Sequence, residues 1–149
     1  MLEGMVCDYS GGNRDERNFA RSLRNEWNNM GGWVDQYHPS LGSTTGQPDL
    51  QFLLRTLIGP VLVPVELKVG EIVKGNLKVH AIRPAQRRWA KKFHNHGGKS
   101  GFLCGIEGKN GWCAAVLNLE AIFEGAVLFK PAEFTLVETI PEALLKIRK

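Results

Sequence analysis

Asp49, Glu66 and Lys68 are the residues whose types and spacing best suit chemistry. Asp49 closes "QPD" (47–49), and Glu66 and Lys68 stand two apart in "PVELKVG" (64–70). Side chains alternate along a strand, so Glu66 and Lys68 share one face while Val65, Leu67 and Val69 share the other. Two carboxylates and an ammonium gathered at one point suit a Mg2+ site, because hard cations take oxygen ligands. The lysine would position water or offset charge on a phosphate. The competing reading is a half-exposed edge strand with a solvated acid–base pair. Pro64 favours that reading, since it cannot donate to a ladder.

Two helices must add to the set. At about 100° per residue, Phe19, Ala20, Leu23, Trp27 and Met30 form one apolar stripe, and Glu16 lies in line with it. A carboxylate on a buried face needs a partner or a metal. Alternatively, Glu16 caps the first turn. Ile82, Ala85, Trp89, Ala90 and Phe93 form a second stripe that contains Gln86, while Arg87, Arg88, Lys91 and Lys92 face away. An amide in such a stripe is commonly a satisfied core group. Among other inward polar groups, Gln86 joins the candidate site.

The elements that would carry these residues follow from punctuation and periodicity. Residues 1–12 read as a flexible arm. Asn13, with Glu16 three positions on, opens a helix that runs to about Met30 and stops at Gly31-Gly32. "WVDQYH" (33–38) is a short strand, 39–48 a loop, and "DLQFLL" (49–54) a strand. Gly59-Pro60 turns the chain into a strand over 61–69. Residues 70–81 form a basic, Gly-punctuated connection. Pro84 opens a helix to about His96. "GFLCGI" and "GWCAAV" are strands joined by "EGKNG", "NLEAIFEGA" is a short helix, and the remainder holds one strand and a basic tail. The fold class is therefore α/β (α+β). Residues 13–116 form the core, in the order α-β-β-β-α-β, and 117–149 are an extension of the same domain.

The length of 149 residues suits one domain. The excess of 19 Lys+Arg over 15 Asp+Glu permits a nucleic-acid partner without requiring one. Three cysteines, with no CxxC and no zinc spacing, suggest a reduced, cytoplasmic protein. No run approaches the roughly 20 apolar residues of a membrane span, and none at the N-terminus suits a signal peptide. His94-Asn95-His96 spells HNH, but that nuclease motif spreads its residues across a ββα unit. Here the three are expected to end a helix.

Glu16 on a helix, "QPD" at 47–49, "ELK" at 66–68 and Gln86 on a second helix together resemble the PD-(D/E)XK nuclease superfamily. Within it, the arrangement is similar to Holliday-junction resolvases and stand-alone VRR-nucleases. The resemblance implies a restriction-endonuclease-like mixed sheet flanked by helices and a Mg2+-dependent endodeoxyribonuclease, with Mn2+ as a substitute. It implies that Asp49, Glu66 and the Leu67 backbone carbonyl hold the metal, with Glu16 as a further ligand, directly or through water. Lys68 would orient or help deprotonate the attacking water, and Gln86 would support Lys68 or a phosphate. Related resolvases often carry a basic residue before the aspartate. The loop here has none, and Arg83 or Lys99 would supply that charge.

Basic residues gather in three places: Arg14, Arg17, Arg21 and Arg24 on the first helix, Lys74 and Lys78 in the 70–81 connection, and Arg83, Arg87, Arg88, Lys91 and Lys92 on the second helix with Lys99 beyond. Each row alone is an ordinary solvated face. Beside a phosphodiesterase-like site, they suit contacts to the DNA backbone. His38 is a weaker candidate for a phosphate contact. The resemblance further implies branched or junction DNA as substrate and a two-fold homodimer that makes paired cuts. Nicking, flap trimming and restriction-like cleavage are alternatives on the same fold. A non-catalytic DNA-binding or structural protein is the alternative of another class.

Overall fold

A computed structural model of the chain describes residues 16–36, 46–80, 82–109 and 111–149. The 1–12 arm, Asn13, Arg14, His38 and the Ser/Thr-rich stretch through Thr45 lie outside the described residues.

The elements are α1 (Glu16–Asn29), β1 (Trp33–Gln36), β2 (Leu50–Thr56), β3 (Gly59–Val73), β4 (Asn76–Val79), α2 (Pro84–Asn95), β5 (Gly101–Gly108), β6 (Gly111–Leu117), α3 (Leu119–Phe123), β7 (Leu128–Phe129), a 3-10 turn (Pro131–Glu133), β8 (Phe134–Val137) and α4 (Ile140–Arg148). The strands form one eight-stranded mixed sheet in the order β1-β2-β3-β5-β6-β8, while β4 joins β3 to β7. The β3–β5 pair is parallel and the other pairs are antiparallel. The fold is thus mixed α/β, with helices flanking the sheet. Among the described residues no helix is long and apolar enough to cross a membrane.

Each face of the sheet is a core. Phe19, Leu23 and Trp27 of α1 and Ile140, Leu144 and Ile147 of α4 pack with Val63, Val65, Leu67 and Leu103. On the opposite face, Ile82, Ala90 and Ile122 pack with Phe102, Cys104 and Ala115. Leu103 belongs to one core, and Phe102 and Cys104 to the other, as strand alternation requires. A strand covered on both faces reads as a nearly continuous apolar run, which explains "GPVLVPVELKV".

Several element limits differ from the sequence-based expectation. The turn before β3 falls on Leu57-Ile58, and Gly59 and Pro60 already pair with Thr56 and Arg55. Residues 70–79 of the 70–81 connection are a β-hairpin. β3 continues to Val73 and turns at Lys74 (φ 51°) and Gly75 (φ 83°), a pair of positive φ values that matches a two-residue hairpin turn. Met30 is exposed because α1 has already ended at Asn29. The C-terminal basic tail is mostly helix: Thr139 Oγ1 accepts from Glu142 N–H at 3.2 Å, and Ile140, Ala143, Leu144 and Ile147 are buried at helical spacing.

Pro64 lies in a central strand, between β2 and β5. The Val65 pair with Leu50 and the Leu67 bond described below put the nitrogens of odd-numbered residues on the β2 edge. The Pro64 nitrogen therefore leaves on the β5 edge, one residue before pairing with β5 begins at Val65–Gly101. The missing N–H falls where no ladder bond is called for. The solvated edge-pair reading fails, since Glu66 and Lys68 are only 4% and 2% exposed.

Candidate metal centre

The central strand changes neighbours at Glu66–Lys68. On one edge, β2 ends opposite Val65 and β4 begins opposite Gly70. Between them β3 has no strand partner on that edge. Asp49, one residue before β2, fills part of the gap: its Oδ2 accepts from Leu67 N–H at 2.9 Å. His80 N–H donates to Val69 O at 3.1 Å at the far end. A residue's N–H and C=O leave a strand on the same edge, so the Leu67 carbonyl emerges into this opening.

Local packing pins Asp49 there. Gly46 has φ +86°, and a Cβ on it would lie 2.1 Å from the Ala85 carbonyl oxygen. The backbone before Asp49 thus sits directly on the first turn of α2, and Pro48 is buried behind it.

Glu16 arrives from the other face. Phe19 packs on Gly105, where a Cβ would come within 2.6 Å of the ring, and against Trp112 at a centroid distance of 5.3 Å. This seats the start of α1 over the sheet opening. Lys68 shares a face with Cys104, on the α2 side. Its Nζ nevertheless lies 3.6 Å from Glu16 Oε1. The two meet where the sheet is open.

Carboxylate oxygens of Glu16, Asp49 and Glu66 all lie within 4.8 Å of one another. Burial first, then a hydrogen bond and charge repulsion from Asp49, push the Glu66 carboxyl up to about 10, partly offset by Lys68. Glu66 therefore holds a proton at neutral pH, hydrogen-bonded to Asp49. Burial also raises Glu16, while Lys68 opposes the shift and Asp49 adds to it. Fully ionised, the three acids and Lys68 would carry a net charge of about −2, which a divalent cation matches in place of the proton. Three carboxylates and a backbone carbonyl form an all-oxygen donor set. The residues fit Mg2+ or Mn2+.

An open cleft of about 520 Å³ leads away from this point, between α1 and the β1–β2 edge. Arg17, Arg21 and Arg24 line one wall, Gln36 and Leu50 the other, and Glu16, Asp49 and Leu67 one end.

The remaining sequence candidates are placed as follows. Gln86 is buried, and its Oε1 accepts from Arg83 N–H at 2.9 Å. The use shown for its carbonyl is therefore to cap α2. Arg83 is exposed and near enough to lower the Glu16 carboxyl slightly, as a basic residue beside the site would. Arg87 is half-buried, and its guanidinium donates to Ala126 O at 3.4 Å. Lys74 and Lys78 are exposed on the β3–β4 hairpin, and Lys99 is exposed after α2. His94 and His96 are used locally: Ser100 N–H donates to His94 Nε2 at 3.1 Å, and His96 Nδ1 lies 2.8 Å from Lys92 O. Asn25, Asn28 and Gln36 also line the cleft and escape motif reasoning. The only signal for the two asparagines is helical phase, since Asn25 and Asn28 follow Arg17, Arg21 and Arg24 on the same face of α1.

No known family model matches the chain, and no curated protein matches it. The resemblance to PD-(D/E)XK nucleases drawn from the sequence therefore rests on the quoted residues alone.

Proposed function

We propose that the protein is a metal-dependent DNA endonuclease built on a restriction-endonuclease-like variant of the mixed sheet. The observation that carries this reading is the convergence of Glu16, Asp49 and Glu66 around the opening at Leu67, with Lys68 buried beside them. Asp49, Glu66 and the Leu67 carbonyl would hold the metal, with Glu16 as a further ligand. Bound there, a divalent ion supplies Lewis acidity at phosphoryl oxygens and lowers the pKa of water. Glu16 fixes the Lys68 ammonium beside the acids, where it can orient water and offset the charge that develops on phosphorus. The buried strand removes bulk water from the lysine and strengthens that interaction. Arg83, close enough to affect the Glu16 carboxyl, would meet a neighbouring phosphate.

Asp49→Asn removes one ligand and tests the assignment. Cleavage of labelled DNA in Mg2+ should fall by about 100-fold or more, and unchanged cleavage overturns the site. A wild-type protein that binds DNA but never cuts it in Mg2+ or Mn2+ is the result that assigns a non-catalytic binding role instead. A junction substrate and a homodimer are the form this activity takes under the resemblance. Symmetric paired cuts in a four-way junction, with a flap and a plain duplex left intact, support that form. Equal cutting of duplex removes it.

A further inference from the structure

We propose that the cleft beside the acidic centre holds one unpaired nucleic-acid strand, with its phosphates laid along α1 against Arg17, Arg21 and Arg24. This rests on the nuclease reading of the acidic end and adds the substrate class to it. The three guanidinium side chains recur once per turn along one helix face and span about 10 Å of axis. Stacked B-form DNA carries a phosphate about every 3.4 Å per strand, and an extended strand spaces them more widely. The row therefore covers two or three consecutive phosphates.

The opposite wall shows why a single strand fits. Among the described residues, Gln36 and Leu50 line it and carry no charge, so the described lining is cationic on one side. A duplex backbone presents two phosphate rows, and one of them would face that neutral wall. Asn25, Asn28 and Gln36 offer amide donors and acceptors where sugars and base edges would lie. Among the described residues no aromatic side chain lines the cleft, and the phosphate contacts that hold the strand carry little sequence information. The row ends at Glu16 and Asp49, which sets one phosphate of the held strand at the acidic centre.

The test is fluorescence anisotropy with a labelled single-stranded DNA of about 12 nucleotides, longer than the roughly 18 Å polar face of α1, and with the same sequence as a duplex. Chelator is present so that nothing is cut. For the single strand, three phosphate contacts predict a slope of log affinity against log salt of about −2, and Arg21→Gln with Arg24→Gln should reduce its magnitude by about 1.4 and weaken binding about tenfold at low salt. Lys109→Gln with Lys130→Gln removes the same charge from exposed positions outside the cleft, and should leave affinity within about twofold. An unchanged slope in the arginine variant, an equal loss in the lysine control, or an equal loss on duplex each overturns the proposal. If the double variant does not fold, each single arginine variant should lower the slope by about 0.7, and no change in either is equally fatal. The two readings fail separately. Wild-type protein that binds the strand but never cuts sinks the nuclease alone. A nuclease silenced by Asp49→Asn, whose strand binding ignores Arg21 and Arg24, sinks the track alone.

Discussion

At the scale of single residues, Glu66 is the group most altered by its setting. It lies in a central strand, at the stretch where one edge has no strand partner, and its carboxyl is raised far above its ordinary value of 4.5 by burial and by Asp49. The folded, metal-free protein therefore binds a proton there that the unfolded chain releases. Stability from this group is complete below about pH 4.5 and declines as pH rises toward about 10. Glu66→Gln keeps the shape and removes the ionisation. The metal-free variant should melt higher than wild type at pH 8, with a smaller difference at pH 5, measured by circular dichroism. A wild-type melting temperature that rises between those pH values would contradict the assignment. The alternation of "PVELKVG" makes Glu66 and Lys68 legible as a pair. Their burial was not legible, because it depends on α2 and α3 covering a face that the strand itself leaves open.

At the scale of elements, α1 is the piece whose seating decides the site. One of its close contacts with the sheet is the stacking of Phe19 on Gly105, which has no room for a methyl group. Gly105→Ala should lift the helix, cost about 1–3 kcal/mol by overpacking, and lower Mg2+-dependent cleavage, because Glu16 travels with Phe19. Denaturant melts together with cleavage rates check both effects. Normal activity in a destabilised variant would detach Glu16 from the chemistry. α4 offers a contrasting case. Its N-cap is Thr139, and Thr139→Ala should cost about 1 kcal/mol while leaving cleavage per folded molecule unchanged. The apolar spacing of Ile140, Ala143, Leu144 and Ile147 was present in the sequence, but a chain end rich in Lys and Arg disguised it as a tail. The β3–β4 hairpin was hidden for another reason. Lys74 takes a left-handed conformation, which favours Asn or Asp over Lys among residues with a side chain.

At the scale of the whole molecule, two cores clamp one sheet, and the acidic centre lies where that sheet is interrupted. Metal binding at such a point should stabilise the fold by mass action. Mg2+ at about 100 times its dissociation constant adds about 2.7 kcal/mol. The gain should be larger at pH 8 than at pH 6, because the ion displaces the proton held by Glu66. It should vanish in Asp49→Asn at matched ionic strength. Scanning calorimetry with and without Mg2+ reads all three outcomes. A melting temperature indifferent to Mg2+ in the wild type would remove the metal centre.

By itself the sequence determined the inventory: which residues are inward and polar, which helices and strands carry them, and that Asp49, Glu66, Lys68 and Glu16 interrupt apolar patterns. Those are local properties, written in periods of two and 3.6 and in glycine and proline. Only the tertiary structure decided that β3 is central rather than an edge, because strand order depends on the β5 pairing some 35 residues away. It also decided that Gln86 caps its own helix, and that α1's arginines face a cleft ending at the acids. Each of these is a relation between elements, set by which surfaces bury one another, and no single element's pattern contains it.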